Sequence, residues 1–331
     1  MTAWVAVALA WCAGLLGQVG PELGGSGPGL EGPIGFAVEM VTVLWMPVVL
    51  LTVGAAVVAL LRRHWWPAAA LGPVALLTLV PELWVRSKPP ADHSQRDGAL
   101  RVATVNLQGE NLDDPLMEES LHQIDADVLV LLEFTTSWAE RLEAWLPDDY
   151  PYRWLAAAPD RPGYDQQGLR IAIWSRLPAA SDDEVLNLRG WNSQIRVPLV
   201  WRGRAFALYG IHPSKPYPYR LYAGAWRERQ QLLDWIRSER LPTVVAGDFN
   251  ASPRSAFLQR LRLLGLDNAS ESVCGRAPTT WPMHPDLLAP LRIAIDHLMH
   301  SEALIAVDFR RGMLTHSDHA PVYADLVWRN E

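Results

Sequence analysis

Six short polar clusters, each lying at one end of a run of apolar residues, carry the chemistry of this chain. They are Asn106, Glu133, His212, Asp248-Phe249-Asn250, Asp296-His297 and Ser317-Asp318-His319. Each also has an ordinary reading. Asn and Asp are frequent turn formers after strands, because their short side chains hydrogen-bond the neighbouring backbone, and an Asp-His pair can cap a loop. Glu133 is harder to dismiss, since it follows five apolar residues, Val128 to Leu132, where an unpaired carboxylate is costly. Together the clusters offer carboxylate and amide oxygens without a cysteine, a hard donor set suited to Mg²⁺ or Mn²⁺ rather than zinc. Histidines beside carboxylates add the proton transfer and charge stabilisation that phosphoryl chemistry needs. The set reads as a metal-assisted phosphoester hydrolase.

The elements between these clusters must bring them to one place. Leu100 to Leu107 alternates like a strand, Asp127 to Phe134 is an apolar run like a buried strand, and Asp113 to Ile124 between them predicts a helix. Thr136 to Leu146 predicts a second helix. Gly168 to Trp174, Gln194 to Trp201 and Arg204 to Ile211 read as strands, the last two joined by a tight Arg202-Gly203 turn. A long amphipathic helix over Arg220 to Arg240, stopped by Pro242, leads into a short buried strand, Thr243 to Ala246. Ser255 to Leu264 is helical, and Ile293 to Met299, Leu304 to Phe309 and Val322 to Trp328 are strands. This irregular alternation fits neither a Rossmann fold nor a barrel; two packed sheets covered by helices fit better. Trp138, Trp145, Trp226 and Trp235 fall at helical spacing and are expected in the core, while Ala156 to Gly168, rich in Pro, Gly and Asp, predicts a mobile loop at the mouth.

At these residues the sequence resembles the endonuclease/exonuclease/phosphatase family, which includes pancreatic-type deoxyribonuclease, abasic-site endonucleases, sphingomyelinases and inositol-polyphosphate 5-phosphatases. The matching segments are Thr104-Val105-Asn106, Leu131-Leu132-Glu133, Tyr209-Gly210-Ile211-His212, Gly247-Asp248-Phe249-Asn250, Ile295-Asp296-His297 and Ser317-Asp318-His319, in the family's order. The resemblance implies a four-layer α/β sandwich with the site at one edge of its two sheets. It also implies that Glu133 is the principal metal carboxylate, supported by Asn106 and Asp318. Asp248 would position or deprotonate the attacking water and Asn250 would hold the phosphate. His319, oriented by Asp296, would stabilise the pentacovalent phosphorus, and His212 would contact a phosphate oxygen or assist the leaving group. Family members differ in using one metal or two. Gln108 stands where the abasic-site branch has an acidic residue, and His212 replaces that branch's tyrosine, which brings the chain nearer the deoxyribonuclease and sphingomyelinase branches. Lys215, after His212-Pro213-Ser214, could meet a phosphate or be a solvated charge; Trp281 suits packing as well as substrate contact.

The first part of the chain is of another kind. Three apolar stretches, Ala3 to Val19, Ile34 to Leu61 and Trp65 to Val85, predict a multi-pass membrane anchor of three helices over residues 1–85. A polar linker follows at 86–98, and the catalytic domain occupies 99–331. Arg62-Arg63-His64 between the last two stretches predicts an extracytoplasmic catalytic domain, although Arg86 and Lys88 then lie on the outer side. Cys12 and Cys274 are the only cysteines, so the globule has no internal disulfide. The first 97 residues hold five of the 29 basic and six of the 36 acidic residues, which leaves a mildly acidic globule, 24 against 30. That balance argues weakly against long duplex DNA as a partner. The expected partners are a phosphoester substrate, nucleic acid or phospholipid head group, and the lipid bilayer; no protein partner is evident. A phosphodiesterase is the first reading. A phosphomonoesterase on soluble or lipid phosphates, and a non-catalytic membrane scaffold retaining the fold, are the alternatives.

Overall fold

A computed structural model describes residues 32–43, 54, 57–58, 98–109, 114–146, 148–157, 170–181, 184–188, 194–283 and 292–329. Helix α1 (Pro33–Val43) is followed by β1 (Leu100–Asn106), α2 (Pro115–Ile124), β2 (Val128–Phe134), α3 (Thr136–Trp145), β3 (Tyr152–Leu155), β4 (Arg170–Ser175) and β5 (Leu186–Leu188). Then come β6 (Gln194–Trp201), β7 (Arg204–Ile211), α4 (Tyr219–Arg237), β8 (Thr243–Asp248), α5 (Ala256–Leu263), β9 (Leu266–Asn268) and α6 (Ala269–Cys274). The chain closes with β10 (Asp296–Ser301), β11 (Leu304–Arg311) and β12 (Val322–Trp328).

The strands form two six-stranded mixed sheets, ordered β11-β12-β1-β2-β4-β3 and β5-β6-β7-β8-β10-β9. Strand alternation assigns their faces. Val128, Val130 and Leu132 of β2 join Phe206 and Leu208 of β7 and Val244 and Ala246 of β8 in the core between the sheets. The alternate residues Leu129 and Leu131 pack outward with Met117, Leu121, Trp138 and Leu142 of α2 and α3. On the far side, Ala207, Tyr209 and Val245 pack on Leu232, Leu233 and Phe257 of α4 and α5. The result is the expected helix, sheet, sheet, helix order. Trp138 and Trp226 are buried, whereas Trp145 and Trp235 are only partly so.

Element ends differ from expectation for local reasons. Helix α2 starts at Pro115 because the Asp114 side chain accepts from the Leu116 and Met117 amides, an N-cap. Helix α4 stops at Arg237 rather than Arg240. The Glu239 carboxylate accepts from the Arg240 and Leu241 amides, and such local bonds compete with the helix. Strand β10 opens at Asp296 rather than Ile293, since Ile293 bridges Trp281 and the Ile295 and Asp296 amides donate to Thr280 Oγ1.

No described helix is long and apolar enough to cross a membrane. The apolar stretches Ala3 to Val19 and Trp65 to Val85, and most of the 86–98 linker, lie outside the described residues, as does most of the loop Ala156 to Gly168. Ala156 itself is core, its amide bonded to the Ile171 carbonyl. The opening of the second apolar stretch is α1, which packs on α4 through Phe36, edge-on to Tyr219 and Tyr222.

Candidate active site

Side-chain alternation decides which residues reach the mouth. Asn106 shares the inter-sheet face of β1 with Val102, Asp248 shares that of β8 with Val244 and Ala246, and Asp296 shares that of β10 with Leu298. Strands β1 and β2 are parallel, as are β7 and β8, so Asn106, Glu133, His212 and Asp248 gather at one end of the sandwich. Asp296 lies opposite Asp248 in the antiparallel β8–β10 register. The loop before β12, which pairs antiparallel with β1, returns Ser317, Asp318 and His319 to the same end.

Glu133 is an exception to simple alternation, which would turn it toward the helices with Leu129 and Leu131. A register shift in the β2–β4 pairing between Leu131 and Phe134, with Glu133 at φ 53°, turns its carboxylate to the mouth instead. There its Oε1 accepts from Asn106 Nδ2 at 3.2 Å and Oε2 from the Gly109 amide at 3.3 Å. Gln108 ties this corner together: its amide donates to Asn106 Oδ1 at 3.0 Å, and its Oε1 accepts from the Asp318 amide at 3.1 Å. Ser317 Oγ donates to the Asn106 carbonyl and accepts from the His319 amide. Trp281 Nε1 donates to Asp318 Oδ2 at 2.9 Å, and its ring lies 6.4 Å from that of His319. Trp281 is thus a wall of the site that fixes Asp318.

The other corner is a chain of charge. His212 Nε2 lies 3.4 Å from Asp248 Oδ2, His319 Nε2 lies 3.9 Å from the same oxygen, and His319 Nδ1 is 2.9 Å from Asp296 Oδ2. Burial works to raise the Asp248 carboxyl, but His212, His319 and the Asn250 amide outweigh it and hold it below the usual carboxylate range. Burial works to lower His319, and Asp296, Asp248 and Asp318 overcome it, pushing the imidazole up to about 10. Burial raises the Asp296 carboxyl as well, against the pull of His319, so the two share a proton along the 2.9 Å bond while His319 Nε2 points past Asp248 toward the mouth. Burial likewise opposes charge on His212, which Asp248 and Glu133 raise. Gly247 permits this packing: a Cβ there would sit 1.8 Å from the Ile211 carbonyl oxygen.

Supporting residues come from elements the sequence did not mark. Gln194 Oε1 accepts from the His212 amide at 2.5 Å while its Nε2 donates to Glu228, and Glu228 Oε2 accepts from the Ser214 amide at 2.9 Å. Asn250 Nδ2 donates to the Pro213 carbonyl at 3.0 Å, joining the two loops. Thr280, fully buried, holds the backbone entering Asp296. Among the supporting residues, Gln108 was singled out in the sequence and Thr280 stands beside Trp281, while Gln194 and Glu228 carried no signal. Lys215 lies exposed with its ammonium 5.2 Å from the Tyr217 ring centre.

Two groups could hold a cation. Asp248, Asp296 and His319 each bring one ligand atom within 4.8 Å of the others. Two contacts already engage these atoms with one another, His319 Nδ1 with Asp296 Oδ2 at 2.9 Å and His319 Nε2 near Asp248 Oδ2 at 3.9 Å. Glu133 and Asp318 are partly exposed oxygen donors, with the buried Asn106 amide bonded to Glu133, the donor chemistry Mg²⁺ and Mn²⁺ prefer. The second group fits a divalent ion better.

No curated protein is similar enough in sequence to count as a match. Among solved structures the chain is similar to an endonuclease/exonuclease/phosphatase family protein from Leptotrichia buccalis C-1013-b, at 13% identity and TM-score 0.54, over 70% of this chain and 100% of that one. It is similar to an endonuclease/exonuclease/phosphatase from Beutenbergia cavernae DSM 12333 at 19% identity and TM-score 0.53, over 69% and 71% of the two chains. D. rerio TDP2, complexed with single strand DNA product, follows at 14% and 0.51, over 70% and 100%. At such identities the likeness is one of fold. The sequence itself goes further: residues 103–319, from the first strand to the last site histidine, match the model of the Endonuclease/Exonuclease/phosphatase family, and the chain belongs to that family.

Proposed function

We propose that this protein is a divalent-metal-dependent phosphodiesterase that directs water onto a phosphoester of nucleic acid or of a phospholipid head group. The observation that carries the reading is Asp248, buried between two imidazoles, one of them fixed by Asp296 through its Nδ1. A carboxylate held ionised in that position can orient a water and take its proton. His319 Nε2–H faces the place where charge grows on phosphorus oxygens, and a preorganised donor there lowers the barrier more than it aids ground-state binding. His212, across Asp248, is placed to donate toward the leaving oxygen, and Asn250 to hold a non-bridging one. Held by Glu133, Asn106 and Asp318, Mg²⁺ or Mn²⁺ would supply Lewis-acid charge to the phosphate. A scaffold has no physical need for all of Glu133, Asp248, Asn250, Asp296 and His319.

The test is a panel of bis(p-nitrophenyl) phosphate, p-nitrophenyl phosphate, single- and double-stranded DNA, RNA, sphingomyelin and phosphoinositides, each with Mg²⁺, Mn²⁺ or EDTA. Turnover of diesters that EDTA abolishes and Mg²⁺ or Mn²⁺ restores is expected. Full turnover in metal-free protein removes the metal assignment, and turnover of monoesters alone shifts the reading to a phosphatase.

We also propose that the apolar N-terminal stretches attach the protein to a membrane, with the catalytic domain on the outer side. The support is the length of Ala3 to Val19 and Trp65 to Val85, the part of the second stretch beyond α1, and the Arg62-Arg63 pair. An alkaline phosphatase fused after Glu331 is then active only if exported; fluorescence from a cytoplasm-only reporter at the same place reverses the orientation.

A further inference from the structure

Glu39 is the single charge in the apolar stretch Ile34 to Leu61, where a carboxylate has no evident use. In the structure it meets Arg229 of α4. Their side chains are 2% and 0% exposed, and Arg229 Nη1 donates to Glu39 Oε1 at 3.1 Å. The same guanidinium, through Nη2, donates to the Asn250 carbonyl at 2.7 Å. Two residues further on, Ser252 Oγ donates to the Thr42 carbonyl of α1 at 2.7 Å. Helix α1 therefore grips the segment after β8 at two points, once through Arg229 and once directly.

That segment needs holding. Asn250 has φ 47°, a left-handed conformation that costs a non-glycine residue energy and persists only where its surroundings fix it. Its amide donates to Asp248 Oδ1 at 2.7 Å, so the loop's shape and the carboxylate's orientation are one property. For packing alone, an apolar pair in place of Glu39 and Arg229 would serve as well or better, since desolvation offsets most of a buried ion pair's attraction. An ion pair instead fixes where the guanidinium points.

We propose that Pro33–Val43 is a working part of the catalytic unit: Glu39 aims Arg229, and Arg229 with Thr42 holds the Asp248–Ser252 loop in its active shape. Glu39 and Arg229 are positioning residues that act through Asn250 and Asp248, and the proposal rests on the reading of those two as site residues. Residues 98–331 alone then lack one support of their own active site.

The full chain is compared with Glu39→Leu, Arg229→Leu, the double variant and Ser252→Ala. Amide hydrogen exchange is read at Phe249 and Asn250, alongside kcat and KM on bis(p-nitrophenyl) phosphate and the thermal midpoint. Glu39→Leu is expected to speed exchange at these two amides and to lower kcat, each by about tenfold, with KM little changed. The double variant regains thermal stability, because no charge is left unpaired, but regains neither loop protection nor kcat, because the Asn250 carbonyl has lost its donor. Should the double variant recover kcat together with stability, or Glu39→Leu leave exchange and kcat as they were, Glu39 is only a packing residue. Where a leucine variant does not fold, Ser252→Ala removes one hydroxyl tie; faster exchange at Asn250 supports the proposal and unchanged exchange overturns it. Exchange needs no turnover, so it decides this coupling even if no phosphoester is hydrolysed.

Discussion

The two sheets bring unlike chemistry to one mouth. The first contributes Asn106 and Glu133, neighbours by hydrogen bond, with Asp318 from the loop before β12, and the Asp318 side chain is 33% exposed. The second contributes His212, Asp248 and Asp296, which with His319 form a chain whose Asp248, Asp296 and His319 members are 3%, 2% and 7% exposed. A corner that must load a cation needs access and spare lone pairs. A corner that must keep protons in place needs water kept out, because charge interactions keep their strength only in a low-dielectric surrounding. On the proposed reading, the contrast suits the first corner to ground-state binding and the second to transition-state work.

Variants on either side break the comparison if it is wrong. The largest effect on turnover is expected from His319→Ala, which should lower kcat by ~10² to 10³, as loss of a comparable preorganised donor does. KM should hardly move, and added Mg²⁺ should not restore the rate. Glu133→Gln should act on metal instead, weakening Mg²⁺ affinity by at least the ~10-fold that losing even an outer partner of a ligand costs, with partial recovery at high Mg²⁺. Steady-state kinetics across a Mg²⁺ titration, with circular dichroism to confirm folding, decide between them. Rescue of His319→Ala by metal, without rescue of Glu133→Gln, reverses the two corners.

The sequence showed the corners themselves but not what steadies them. Gln194–Trp201, Arg204–Ile211 and Val322–Trp328 could be bounded to the residue, because alternation and a flanking turn mark both ends. The short strands Tyr152–Leu155, Leu186–Leu188 and Leu266–Asn268 escaped notice: three or four residues are too few to carry a readable period. Glu133 could be singled out by its apolar neighbours, yet its rotation out of the strand's alternation came from a bulge that no residue type announces. Arg229 and Glu228 read as two more charges on an amphipathic helix, since their partners Glu39, Asn250, Gln194 and Ser214 are distant in sequence.

Residues that only steady a corner should cost less. Thr280→Val keeps the shape of a fully buried side chain while removing the hydroxyl that accepts from the Ile295 and Asp296 amides and bonds the Asp296 carboxylate. Each amide left without a partner costs about 1 to 3 kcal/mol, so the thermal midpoint should fall clearly. The kcat should fall less than in His319→Ala, since Asp296 keeps its bond to His319. A variant with unchanged stability would mean that those amides find another acceptor.

The smallest effect on turnover, and the sharpest control on the comparison, comes from a buried carboxylate away from the mouth. Burial works to raise Glu239, but Arg196, Tyr209 and the Leu241 and Arg240 amides overcome it and hold it down to about 2. It too is displaced from its ordinary range, yet it ties β6 and β7 to the end of α4 and bonds none of the site residues. Because its folded value lies below the ordinary 4.5, the stability it contributes is fully present above about pH 4.5 and is lost as pH falls through about 2. At neutral pH that linkage amounts to about 3 kcal/mol. Glu239→Gln should therefore lower stability at pH 7, and the gap to the parent should shrink through pH 3 and close near pH 2 in urea unfolding. Its kcat, measured where both proteins are folded, should equal the parent's. A fall in kcat with this pattern of stability would show that perturbing a buried charge anywhere in the second sheet disturbs the mouth, and the division between the two corners would then be too local.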